Sequence, residues 1–147
     1  GRSDDVLNVN GHRVGTGQIE ASILRDKLRP DSPIGNCIIV GVEDEMTGQT
    51  PWAFITLMPR SRLLSADQRR LEKNCSVDVG EYAIPSEFIV VDDIPETLTG
   101  KYMRRIVQKI VQGRDVGDTS SLRNPESLEA IRRAIGDGRE PQRKHEI

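Results

Sequence analysis

Cys37-Ile38-Ile39-Val40-Gly41-Val42 is a short, continuous apolar run rich in β-branched residues. It reads as a buried strand. A polar connection from Glu43 to Thr50, with Gly48 near its end, leads to a second such run, Trp52-Ala53-Phe54-Ile55-Thr56-Leu57-Met58. So short a link predicts antiparallel neighbours. Phe88-Ile89-Val90-Val91 is a third strand, ended by Asp92-Asp93 and Pro95.

Helical periods flank these runs. Ile19, Ile23, Leu24 and Leu28 share one face between Gly15 and Leu28, with Thr16 as N-cap and Pro30 as the stop. Ser65-Ala66-Asp67-Gln68 has the capping-box spacing and starts a helix to about Cys75. Met103, Ile106, Val107, Ile110 and Val111 form one wide apolar stripe, closed by Gly113. Asn124-Pro125-Glu126 opens a last short helix with Leu128, Ile131 and Ile135 on one face, and a charged, disordered tail is expected from Gly136. At the other end, Val6-Leu7-Asn8-Val9 and His12-Arg13-Val14 flank Asn10-Gly11, the pair that a type I′ hairpin turn favours. The order is ββ-α-β-β-α-β-α-α. The expected fold is α+β: a small β-ribbon plus a three-stranded mixed sheet packed with helices, and a polar C-terminal tail.

At 147 residues, one ordinary domain or a domain-sized piece of a longer chain is expected. The apolar fraction is 35% and aromatics are 3%, so the core must be built from Ile, Val, Leu and Ala. A net charge of −2 gives no global field for nucleic acid or a membrane surface. No apolar run is long enough to span a bilayer, and none at the start resembles a signal peptide. Cys37 and Cys75 make no disulfide framework, which fits a reducing compartment, and the expected location is cytoplasmic.

The chemistry centres on Pro95-Glu96-Thr97-Leu98-Thr99-Gly100-Lys101-Tyr102-Met103-Arg104-Arg105. A Thr99-Gly100 turn presents Lys101 at the mouth of a helix. A phosphate loop is excluded, because Pro95 stands where its first glycine belongs and Tyr102 where Ser or Thr should follow the lysine. Lys101, Arg104, Arg105, Lys109 and Arg114 have no interleaved aromatics, so a solvated polar face accounts better for Arg104, Arg105 and Lys109 than a nucleic-acid surface does. Arg2, Asp4, Asp5 and Arg13 read as surface ion pairs around the ribbon. With only His12 and His145 and no ligand spacing among the cysteines, no metal site is expected in this chain. No serine sits in a Gly-x-Ser-x-Gly setting.

Two stretches together resemble a known family. Gly1-Arg2-Ser3-Asp4-Asp5-Val6-Leu7-Asn8-Val9-Asn10-Gly11-His12-Arg13-Val14-Gly15-Thr16 resembles the motif that opens the C-terminal domain of acyl-adenylate-forming enzymes. Pro95 to Lys101 resembles that domain's last motif, and Gly48-Gln49 before a strand also fits. Met103-Arg104-Arg105-Ile106 and Gly117-Asp118-Thr119-Ser120-Ser121-Leu122 look like the acetyl-CoA synthetase branch. The sequence departs from that branch at Leu98-Thr99, where the pattern has Arg-Ser, and at Asn10, where Ser is common. It departs also at Ser76-Val77-Asp78, where the pattern carries a basic pair that contacts CoA phosphate.

The resemblance implies an AMP-forming acetyl- or short-chain acyl-CoA synthetase that uses ATP, magnesium bound with the N-terminal domain, and coenzyme A as substrate. Residues 1–113 would be its C-terminal domain and 114–147 an extension, with the large N-terminal domain absent from this chain and the isolated domain inactive. Lys101 would be catalytic in adenylation, and Arg2 and Arg13 would contact the nucleotide. Asp4 would be the hinge for domain rotation, and Asn10 and Gly11 would line the CoA tunnel. The implied partners are the enzyme's own N-terminal domain and a short-chain carboxylate such as acetate, with no nucleic acid and no membrane. A different reading makes the domain an interaction module in which Lys101 is modified by an acetyltransferase and a deacylase.

Overall fold

A computed structural model describes the backbone of residues 5–146 and the side chains of residues 5–136. Strands β1 (Val6–Val9) and β2 (His12–Gly15) form the expected hairpin. Asn10 (φ 55°) and Gly11 (φ 85°) both take the left-handed backbone that its turn requires. Helix α1 (Thr16–Leu24) follows, then a 3₁₀ turn over Arg25–Leu28 where the sequence pattern predicts continued α-helix. Gly15, not Thr16, is the N-cap of α1, and the Gln18 side chain accepts from its N–H at 3.1 Å. Thr16 is buried and donates its hydroxyl to the Asp5 carbonyl instead.

Strands β3 (Ile34–Asp44) and β4 (Gly48–Leu57) pair antiparallel along their lengths. Helix α2 (Ser65–Asp78) starts one residue earlier in its cap than the sequence pattern indicates. Leu64 is the N-cap, and the Asp67 carboxylate accepts from its N–H at 2.9 Å, so Ser65 is already helical. Strand β5 (Glu87–Val90) runs parallel to β4. Helices α3 (Arg104–Val111) and α4 (Ser127–Glu146) complete the order read from the sequence. α4 is a correction to a short last helix ending before Gly136. It continues for 20 residues, through a segment whose Arg, Glu, Gln and Lys residues keep good helix propensity.

The sheet has the order β2-β1-β4-β3, with β5 also on β4. β1 meets β4 only at Val9–Gly48, which leaves the rest of that edge to β5. The ribbon thus belongs to the same mixed sheet as the three central strands, and the fold is α+β.

Both faces of β3 and β4 are covered, which explains their unbroken apolar runs. Cys37, Ile39, Ala53 and Ile55 pack against Ile19 and Ile23 of α1, Leu71 and Cys75 of α2, and the inward side of the ribbon. Ile38, Val40, Trp52 and Phe54 pack on the other face with Ile89, Val107 of α3 and Ile131 of α4. The outer edge of β3 is closed by side chains: Glu20 accepts from the Ile39 N–H at 2.8 Å, and Gln108 donates to the Gly41 carbonyl at 3.0 Å. Burial pushes the Cys37 thiol well up and that of Cys75 to about 11, so both are protonated packing residues at neutral pH.

Asp26 is buried just after α1 and holds α2 in place. Its carboxylate accepts from Arg70 at 2.7 and 3.0 Å and from the Ser32 hydroxyl at 2.6 Å. Burial pushes its pKa up, but the hydrogen bonds from Arg70 and Ser32, with the charges of Arg70 and Arg29, outweigh it and leave the carboxyl below its ordinary value. A depressed folded-state value means stability that is present above the unfolded pKa and lost as pH falls through the folded one. Urea unfolding of the wild type and Asp26→Asn should therefore differ in midpoint at neutral pH, and the gap should close below about pH 4. A gap that is constant with pH would contradict this.

Candidate functional site

Lys101 sits on a turn closed by three hydrogen bonds. The Gly100 N–H donates to the Thr97 carbonyl at 2.9 Å, and the Thr97 N–H donates to the Lys101 carbonyl at 2.8 Å. The Lys101 N–H donates to the Thr97 hydroxyl at 3.1 Å. Gly100 has φ 89°, a conformation that a side chain would strain. Beyond the turn Glu96 bridges Tyr102, and the Met103 N–H donates to the Pro95 carbonyl at 2.8 Å, just before α3 begins. The Lys101 side chain is exposed, and among the described residues no carboxylate pairs with its ammonium. Leu98, 76% exposed, stands at the apex of the same turn.

A second group lies on the hairpin. Asn10 and Gly11 are exposed at its tip, where the Asn10 N–H donates to the Thr47 carbonyl in the β3–β4 turn at 2.8 Å. Arg13 is exposed on β2, opposite Asn8 of β1. His12 stacks on Tyr82, with ring centroids 4.0 Å apart and planes 5° from parallel, which docks β2 on the segment after α2. Arg2 and Asp4 lie outside the described residues.

The Lys101 turn and the hairpin are joined through a group that the sequence does not reveal. Arg104, read there as part of a solvated face, is only 19% exposed in its side chain. Its guanidinium donates to Asp5 at 2.8 Å and to Glu20 at 2.7 and 2.9 Å. Arg104 is the first residue of α3, three positions past Lys101, and Asp5 is at the base of the hairpin. Asn10-Gly11 is at its far end. The two features therefore share a framework without forming one pocket.

Where the family pattern carries a basic pair, Asp78 accepts from Ser22 at 2.8 Å and from Arg25 at 3.0 Å. These two hydrogen bonds hold its carboxyl below the usual range. The local cation is Arg25, supplied by the 3₁₀ turn after α1. Among the described residues no cluster of three acidic, histidine or cysteine side chains is arranged to hold a metal. No helix there is long and apolar enough to cross a membrane.

Residues 27–101, about half of the chain, match the AMP-binding enzyme C-terminal domain. The chain belongs to that family. It is similar to acetyl-coenzyme A synthetase 1 of Kluyveromyces lactis, at 42% identity over 134 residues, covering 85% of this chain and 18% of that protein. It is also similar to acetyl-coenzyme A synthetase 2 of Candida albicans, at 38% identity over 140 residues, covering 92% of this chain and 20% of that protein. Among solved structures, the acetoacetyl-CoA synthetase of Streptomyces lividans superimposes with a TM-score of 0.75 at 26% identity, over 94% of this chain and 20% of that one. The chain thus spans about a fifth of the length of these relatives.

Proposed function

We propose that this chain is the mobile, lysine-bearing C-terminal part of an ATP-dependent, AMP-forming acetyl- or short-chain acyl-CoA synthetase. Residues 1–113 form the domain and 114–147 its extension. In the first half-reaction a carboxylate oxygen attacks the α-phosphorus of ATP, and pyrophosphate leaves. In the second the CoA thiol loses its proton and attacks the acyl carbon, and AMP leaves.

The observation that carries this reading is Lys101: an exposed ammonium without a carboxylate partner among the described residues, on a turn fixed by Thr97 and Gly100. A charge presented in this way to a site on the partner domain stabilises the negative charge gathering at the α-phosphate. Arg13, with Arg2, contacts the nucleotide, and Asp4 is the hinge. Rotation about it withdraws Lys101 and brings the Asn10-Gly11 tip to the site, where it lines the path of the CoA pantetheine arm. The exposed tip, which carries no side chain at Gly11, suits close approach by a ligand. Magnesium would be bound with the N-terminal domain on the ATP phosphates, where it would offset their charge. The enzyme's own N-terminal domain supplies the adenylate and acyl pockets.

A second reading concerns the same side chain. An exposed amine on a turn suits a lysine acetyltransferase and a deacylase, and acetylation would remove the charge that adenylation needs.

The test is an acid panel on the full-length enzyme. Acetate, propionate or butyrate with ATP and CoA is expected to give AMP and pyrophosphate in equal amounts with acyl-CoA. ADP and phosphate as products, or no turnover with any of the three acids, would sink the reading.

A further inference from the structure

The extension beyond the family-matched segment reaches back to the loop that carries Lys101. Asn124 is fully buried. Its Nδ2 donates to the Asp93 carboxylate at 2.7 Å and to the Ile94 carbonyl at 2.9 Å, and its Oδ1 accepts from the Glu96 N–H at 3.0 Å. Both amide hydrogens meet pure acceptors and the oxygen meets a pure donor, so only an asparagine in this orientation satisfies all three. The sequence assigns Asn124 to capping α4. Instead its carbonyl accepts from the N–H and hydroxyl of Ser127, while its side chain faces the other way.

Its neighbours extend the contact. The Arg123 N–H donates to the Glu96 carbonyl at 2.9 Å, and the Arg123 guanidinium pairs with Glu96 and Asp93. Leu122 bridges Thr97 and is buried with Ile106 and Leu128. Residues 122–124 thus act as a short strand laid along 93–97. Thr97 is also the residue whose N–H and hydroxyl close the Lys101 turn. The chain of contacts from Asn124 through Glu96 and Thr97 to Lys101 has no gap.

We propose that Asn124 is a positioning residue for Lys101, and that residues 122–124 brace the turn for the adenylation half-reaction. This rests on the adenylation reading of Lys101 given above. No carboxylate among the described residues fixes the ammonium, so the backbone beneath it decides where the charge sits. Misplacement by about 1 Å is enough to cost a reaction of this kind about 10²-fold. The brace acts in one half-reaction only, because the turn is withdrawn from the site in the other.

The experiment uses the full-length enzyme and four variants: Asn124→Ala, Thr97→Val, Thr97→Ser and Lys101→Ala. Asn124→Ser is the milder replacement should Asn124→Ala not fold. Thr97→Val removes the hydroxyl that holds the Lys101 N–H, in a partly exposed turn, and Thr97→Ser keeps it. Expected for Asn124→Ala is a fall in kcat of ATP–pyrophosphate exchange of about 10²-fold, and for Thr97→Val about 10-fold, with KM for ATP unchanged. Thioester formation from supplied acyl-adenylate should stay at the wild-type rate, and Thr97→Ser should restore exchange. Amide hydrogen exchange over 97–102 should speed up in Asn124→Ala and Thr97→Val.

Exchange and thioester formation falling together would overturn the proposal, as would exchange unchanged in Asn124→Ala and Thr97→Val while Lys101→Ala abolishes it. Exchange retained in Lys101→Ala would instead overturn the underlying reading of the lysine, and the brace with it.

Discussion

Arg104→Ala is expected to destabilise the domain by about 3 kcal/mol, the scale for breaking a largely buried ion pair by deleting one partner. The cost comes from what is left behind. Glu20 is 14% exposed in its side chain and would lose the guanidinium that pairs with it, while still accepting the Ile39 N–H at the edge of β3. Asp5 would lose its hold on the base of the hairpin. Arg104→Lys should recover only part of the loss, because a single ammonium cannot reproduce the guanidinium fork that reaches two carboxylates. Arg105, exposed one residue further on, is the control: Arg105→Ala should change stability by no more than about 0.5 kcal/mol. Urea unfolding at neutral pH checks both. A loss below about 1 kcal/mol for Arg104→Ala would mean that it behaves as a surface pair.

Lys101→Ala in the full-length enzyme is expected to lower acyl-adenylate formation by about 10²- to 10³-fold, the usual effect of deleting one preorganised group aimed at developing charge. Stability should hardly move, since the side chain is exposed and makes no ion pair among the described residues. Rapid quenching of a single turnover should show the adenylate appearing slowly in the variant. A normal burst would contradict the role. Lys101→Arg should be impaired as well: it keeps the charge but spreads it over a larger, planar head on the same turn.

The central strands were legible because burial on both sides removes alternation, and a run such as Cys37–Val42 then announces itself. The hairpin was legible because Asn10-Gly11 is one of few pairs that accept positive φ twice. Lys101 stood out for a similar reason, with Gly100 beside it. Helix ends were less well marked. The cap of α2 uses Asp67 rather than the Ser65 spacing, and α1 tightens to 3₁₀ where Asp26 turns inward to Arg70.

Long-range polar contacts were hidden altogether. Arg104 meets partners 84 and 99 residues away, and Asn124 meets partners 28 to 31 residues away. No local pattern separates Arg104 from the exposed Arg105. The only hint for Asn124 was its place before Pro125, and that pointed to the wrong job. Such residues are chosen by the packed structure around them.

The account turns on Lys101 serving one half-reaction and not the other. The direct measurement compares two rates in the full-length enzyme, wild type and Lys101→Ala: ATP–pyrophosphate exchange with acetate, and acyl-CoA formation from supplied acetyl-adenylate. The account expects exchange to collapse in the variant while acyl-CoA formation continues at the wild-type rate. Exchange that survives the substitution, or two rates that fall by the same factor, would contradict it.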